Sequence, residues 1–189
     1  MLNDLLMLVG SLLGLGDVTD YLASYDADNP TTPPSNLTDL KRLANFAYSQ
    51  IVRDYMPLLI TETKTSNASC EIAYAGFSKT VANIKKVCFE NGTPCTFRCF
   101  PEFIKVGYPT RKFLITYAYV PNEFSDLEDE IELPFGLSLT AVAFATCFEY
   151  AIAGGLYDEA DMWEQRFKEK ISSAIRGNRE HKLPSRGWI

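Results

Sequence analysis

Few residues in this 189-residue chain could do chemistry, and their types and spacing point to charge and recognition rather than turnover. The densest group is acidic. Glu123, Asp126, Glu128, Asp129, Glu130 and Glu132 fall in one short run with no Lys or Arg among them. A calcium loop needs oxygen ligands at alternate positions around a central Gly, and the run lacks that pattern. What remains is electrostatics: a solvated loop or, repeated around a ring, a negative collar that repels DNA phosphates and lets DNA slide. The thiols are Cys70, Cys88, Cys95, Cys99 and Cys147, an odd number with no C-x-x-C. Cys95 and Cys99 fall on one face of an expected strand. A zinc site from Cys70, Cys88, Cys95 and Cys99 is one alternative, although zinc ribbons use tight paired knuckles. Free buried thiols in a reducing compartment are the simpler expectation.

Nucleophilic catalysis finds little support. The chain has one histidine, His181, in a segment expected to be a tail, whereas catalytic geometry needs a rigid support. There is no G-x-S-x-G, no P-loop and no G-x-G-x-x-G opening a helix. Gly14-Leu15-Gly16 follows an expected helix rather than a strand, so it does not read as a phosphate cradle. The expectation is a non-enzymatic protein with no cofactor and no metal.

The C-terminus carries the opposite sign. Arg176, Arg179, Lys182 and Arg186 cluster, and the chain closes on Trp188-Ile189. A frayed tail is one reading. Trp and Arg are common interface anchors, however, and an extended arm that orders on docking fits the pattern better. Leu183, Trp188 and Ile189 are expected to fill pockets and Arg186 to meet carboxylates, with Arg179 and Lys182 beside them.

These groups sit on a chain that is 47% hydrophobic and 22% charged, enough to bury a real core. The net charge of −6 argues against sequence-reading DNA binding, which needs clustered Lys and Arg. No apolar run reaches the roughly 20 residues that span a bilayer, so no membrane role is expected. The first residues lack the basic start of a secretory signal. Leu2, Leu5, Leu6, Val9, Leu12 and Leu13 instead repeat at helical spacing.

The elements follow from periodicity and breakers. A short helical turn is expected over 17–25 and a loop over 26–35. A long helix capped by Asn36 follows, with an apolar stripe of Leu37, Leu40, Leu43, Ala44, Ala47, Ile51 and Tyr55, stopped by Pro57. Strands are expected over 58–65, 70–74 and 81–90. Asn91-Gly92 favours a tight turn, so 95–100 is expected to return antiparallel on 81–90. Residues 102–106 and 112–119 are expected to pair around Gly107-Tyr108-Pro109. Pro134 suits a first helical position, and Leu137 to Ala153 is apolar all round, which predicts a central helix. Gly154-Gly155 breaks it. A last helix over 157–176 buries Ala160, Trp163, Phe167, Ile171 and Ile175, and Glu164 and Lys168 are spaced for an ion pair.

The predicted fold is α+β: a helical bundle with an inserted small antiparallel β-sheet and an extended C-terminal arm. Its segments are N-terminal helices (1–57), β insertion (58–121), acidic loop (122–133), helical core (134–177) and arm (178–189). Trp163, Phe167 and Tyr150 are expected core residues at the helix–helix contact.

The order of elements, Tyr117-Ala-Tyr119-Val-Pro121 at the end of the strands, Glu149-Tyr150-Ala-Ile-Ala-Gly-Gly-Leu-Tyr157-Asp-Glu159-Ala160, Trp163-x-x-Arg166-Phe167 and the closing Arg186-Gly-Trp188 together resemble the small head–tail connector (adaptor, neck) proteins of tailed bacteriophages. The likeness is densest from about Ala141 to Trp188 and loose elsewhere. It implies a structural virion protein, assembled in the host cytoplasm and sited between capsid and tail. Such adaptors form a ring, typically dodecameric, under the portal protein. The ring extends the DNA channel, passes DNA without reading it, and gives a neck or tail protein below a docking surface. The C-terminal segment commonly reaches into the portal or an adjacent subunit. A tail-terminator or tail-completion ring protein is the alternative with similar physics.

Overall fold

The computed structural model describes residues 1–27 and 32–177. Those residues form five α-helices and two three-stranded antiparallel sheets, an α+β chain. The chain divides into two compact units. The first is Met1–Tyr48 with Phe124–Ile189, and the second is Ser49–Glu123.

In the first unit, α1 (Leu2–Leu13) buries Leu2, Leu5, Leu6 and Val9 completely, as its periodicity predicts. Gly14, at φ 69°, closes the helix in the left-handed conformation that glycine adopts most readily. α2 (Gly16–Ala23) turns back on α1. A Cβ at Gly10 would lie 3.1 Å from Thr19 Cγ2, so a side chain there would have to push Thr19 aside by a few tenths of an ångström. α3 (Ser35–Gln50) buries Leu37, Leu40, Ala44 and Ala47. It starts two residues earlier than expected, so Asn36 lies inside its first turn instead of capping it.

The central helix, α4 (Leu139–Ala153), starts later than Pro134 implies. Leu137 N–H donates to Pro134 carbonyl at 2.9 Å, Gly136 has φ 81°, and Ser138 is extended. A tight turn therefore occupies the residues expected to begin the helix. α4 packs on both α1 and α5 (Tyr157–Gly177), which explains its lack of a polar face. Gly154 and Gly155 make the bend between α4 and α5, Gly155 at φ 71°. α5 buries Ala160, Trp163, Phe167 and Ile171, each large apolar side chain contributing about 1.5–3 kcal/mol. Ile175 and Tyr150 are only half-buried. The expected Glu164–Lys168 pair forms at 2.7 Å.

The second unit opens with a π-helical turn, Ile51–Tyr55, that continues α3. Its wider winding rotates the helical stripe. Ile51 stays buried, but Tyr55 is 46% exposed instead of lying on the apolar face. The strands are β1 (Leu59–Thr65), β2 (Glu71–Ala73), β3 (Val81–Phe89), β4 (Phe97–Cys99), β5 (Phe103–Val106) and β6 (Lys112–Tyr119). They form two sheets, ordered β1-β6-β3 and β2-β5-β4.

Neither expected hairpin forms. The turn after β3 is real, with Gly92 at φ 82° and its N–H on Phe89 carbonyl at 2.9 Å. Pairing beyond it is short: Phe89 N–H donates to Thr93 carbonyl at 2.9 Å and Cys95 N–H to Val87 carbonyl at 2.8 Å, on either side of a Cys88–Pro94 bridge. Beyond Cys95 the chain leaves β3 to pair β4 with β5. Cys95 thus precedes β4 and shares no strand face with Cys99. Likewise β5 pairs with β2 and β4, while β6 takes the centre of the other sheet between β1 and β3. Phe113, Ile115 and Tyr117 of β6 are fully buried on one face, opposite Phe89, Val87 and Ile84 of β3.

Candidate functional site

The acidic run is a built element. Phe124 and Leu127, two apolar residues inside it, are buried. The carbonyls of Asp129 and Leu127 accept the N–H groups of Leu2 and Asn3, both at 2.9 Å. Two of the donors that every helix N-terminus leaves without an internal partner are thereby satisfied. Asp129 also folds inward. Its Oδ2 accepts the N–H of Ser125 at 2.7 Å and that of Asp126 at 2.9 Å. These backbone donors, Asp126 first, hold the Asp129 carboxyl below its usual range. From α3, Asn45 and Lys41 hold Phe124 and Ser125, and the Tyr48 hydroxyl donates to Glu132 carbonyl. Asp126, Glu128 and Glu130 point to solvent on this fixed backbone. Counting polar residues alone missed the segment's rigidity, and the signal was Phe124 and Leu127.

The arm residues Arg179, Lys182, Leu183, Arg186, Trp188 and Ile189 lie outside the described residues, as does His181. What is described is the helical hairpin that leads to them. On α5, Arg166 lies over the Trp163 ring at 4.9 Å and over Phe144 of α4 at 6.0 Å. Trp163 Nε1 is buried without a hydrogen-bond partner among the described residues. At the other end of the hairpin, Ile152, Leu156 and Tyr157 are exposed, Tyr157 by 70%. Sequence reading took Tyr157 only as a helix start and did not see an apolar tip.

Two of the clefts on the chain lie in the second unit. One, of about 480 Å³, lies between the π-helical turn and the β3–β6 pair. Arg53, Asp54, Asn83 and Lys85 line it with Tyr55 and Tyr119. Its lining offers one carboxylate and neither thiol nor imidazole, a set suited to binding. The other, of about 490 Å³, lies against β4 and β5 beside Arg98, Lys105 and Phe100. The unit's most connected polar group is Glu62 on β1. It pairs with Lys64 at 2.6 Å and accepts from Ser78 N–H at 3.1 Å, from Ser78 Oγ and from the Tyr117 hydroxyl. Burial works to raise the Glu62 pKa. Lys64, Ser78 and Tyr117 outweigh it and bring the carboxyl down to about 2. Every donor around Glu62 is used within the fold, so the cluster reads as a staple between β1, β6 and the segment before β3.

The thiols do not converge. All five are free, and among the described residues no three His, Cys, Asp or Glu side chains are grouped closely enough to hold a metal ion. Burial pushes the Cys147 thiol up to about 12, and burial with the neighbouring Cys99 does the same to the Tyr74 phenol. No helix among the described residues is long and apolar enough to cross a membrane.

No protein-family model matches the chain, and no curated protein matches it.

Proposed function

We propose that this chain is the structural subunit of a ring at the head–tail junction of a tailed bacteriophage. The observation that carries the reading is the α4–α5 hairpin. Its Ala160, Trp163 and Phe167 face packs on α4, and it leads at Gly177 into a basic segment ending Arg186-Gly-Trp188-Ile189. A rigid hairpin locked by buried aromatic packing is the support a docking arm needs. In this reading about twelve copies close into a ring around an axial channel. Arg179, Lys182, Leu183, Arg186, Trp188 and Ile189 latch onto the portal protein. Glu123, Asp126, Glu128, Asp129, Glu130 and Glu132 line the bore, where negative charge keeps passing DNA from sticking. The lower face receives a neck or tail protein. No catalytic step, cofactor or metal enters the reading.

Two experiments test it. Electron microscopy and native mass measurement of the full chain should give a ring of about ten or more copies whose profile fits a particle neck. A protomer that stays single at every concentration overturns the ring. A chain ending at Gly177 should fold normally yet fail to join its portal partner, and normal joining refutes the arm. A ring whose acidic segment lies on the outer wall removes the collar. A ring found at the tail end instead of the portal favours the tail-terminator reading.

A further inference from the structure

The two units differ sharply in charge. Residues 49–123 hold nine basic and six acidic side chains, a net of +3. The remainder of the chain holds nine basic and eighteen acidic, a net of −9. The positive charge has a focus. Arg98 of β4 and Lys105 of β5 are direct cross-strand partners. Like charges in that relation destabilise a sheet unless something neutralises them. No ion pair within the unit does so, although Glu71 lies across from Lys105. Neither side chain makes a hydrogen bond or ion pair among the described residues. Glu71, the partner of Lys105 on its other side, is engaged by Asn67 at both its carboxylate and its backbone N–H. Glu102 is exposed on the β4–β5 connection. Beside the two cations Phe100, 40% exposed, stacks on Phe103 at 4.9 Å and 19°. The face is therefore cationic, aromatic and concave.

The first unit presents the complementary surface. At the α4–α5 bend Ile152, Leu156 and Tyr157 are exposed, and Asp158, Glu159 and Asp161 follow directly. These three carboxylates also make no hydrogen bond or ion pair among the described residues. They favour the helix N-terminus on which they sit and leave their outward charge unspent. Glycine at φ 71° in the bend and the α4–α5 packing hold the tip in one shape.

We infer that the outer face of β2-β5-β4 is the seat for the α4–α5 tip of a second copy of this chain. Tyr157 stacks at Phe100, and Asp158 and Glu159 neutralise Arg98 and Lys105. An aromatic anchor ringed by opposite charges has the anatomy of an interface hot spot. The two surfaces are different patches of one chain, so the contact is head-to-tail, the type that closes into rings. The inference rests on the ring reading and names the contact that builds it.

The test is a charge swap in the full chain, read by native mass and electron microscopy, with circular dichroism to verify folding. Arg98→Glu with Lys105→Glu, and separately Asp158→Lys with Glu159→Lys, should each weaken assembly at least about tenfold and leave protomers where the unaltered chain forms rings. All four substitutions together should restore the ring. Tyr157→Ala, at a solvent-exposed position that does not threaten the fold, should weaken assembly on its own. Rings that persist in both reversed variants overturn the contact and leave the ring reading standing. So does a folded four-substitution chain that stays dissociated. An unaltered chain that remains a protomer throughout overturns the ring reading and this contact together.

Discussion

Asn45 grips Phe124 with both ends of its side-chain amide. Its Nδ2 donates to the Phe124 carbonyl at 3.1 Å, and its Oδ1 accepts the Phe124 N–H at 2.7 Å. The ring of Phe124 meanwhile packs on Tyr48, one helical turn further along α3, with centroids 5.1 Å apart. This pair fixes where the acidic segment starts.

Replacing Asn45 by Leu removes both partners and leaves a partly buried N–H and C=O unsatisfied. Destabilisation of about 2–3 kcal/mol is expected, read from urea unfolding. Asn45→Asp keeps the acceptor but sets a carboxylate oxygen against the Phe124 carbonyl, so it should destabilise as well. Equal and negligible effects of the two variants would show that the clamp contributes nothing.

Glu62 makes stability depend on acidity. Its carboxyl is lowered from 4.5 to about 2 in the fold, and its side chain is 15% exposed. The unfolded chain therefore binds the proton more readily, and stability from this group is complete above the unfolded value. It is lost as pH falls through 4.5 towards about 2. Glu62→Gln should cost on the order of 1–3 kcal/mol near neutrality, with the gap from the unaltered protein closing across that window. A gap that does not vary with pH would mean that ionisation of Glu62 is not what stabilises the staple.

Trp163 separates packing from hydrogen bonding. Its indole Nε1 is buried and has no partner among the described residues, while its ring packs on Phe144 with centroids 5.8 Å apart. Trp163→Phe removes the unsatisfied donor along with some apolar volume, and the two effects oppose each other, so a change below about 1 kcal/mol is expected. Trp163→Ala opens a cavity and should cost about 3–5 kcal/mol. If Phe proves as damaging as Ala, the indole N–H has a partner in the folded protein.

Thiol labelling should follow burial. Cys99 is exposed, whereas Cys88 and Cys147 are buried and burial raises the Cys147 thiol to about 12. Iodoacetamide at neutral pH should modify Cys99 first and reach Cys147 only when the fold opens, as peptide mass mapping would show. Prompt modification of Cys147 would contradict the packing of α4.

The helices were legible because their signal is local. Leu2, Leu5, Leu6 and Val9 repeat at 3.6-residue spacing, and Gly14 and Gly154-Gly155 mark ends. Tyr55 went wrong because a π-helical turn changes the period at Ile51, and nothing in the sequence of that turn announces it. Strand positions were legible for the same local reason. Their partners were not, because β6 bonds to β1 and β3, both far away in sequence. Asn91-Gly92 correctly signalled a turn, but a turn does not specify how long the following ladder lasts, and the pairing stops at Cys95. At the candidate site the charges were plain, whereas the apolar residues that fix the acidic run, Phe124 and Leu127, stood among polar neighbours and carried no periodicity.

The closeness of Tyr48 and Phe124 bears on how such a molecule could change over time. They are the last residue before the second unit and the first after it, and their rings already touch. Excising everything between them would leave two chain ends side by side, needing only a short splice to close the gap at little entropic cost. The strand-bearing portion is thus a graft on a helical stock, free to be lengthened, trimmed or exchanged while the stock keeps its shape.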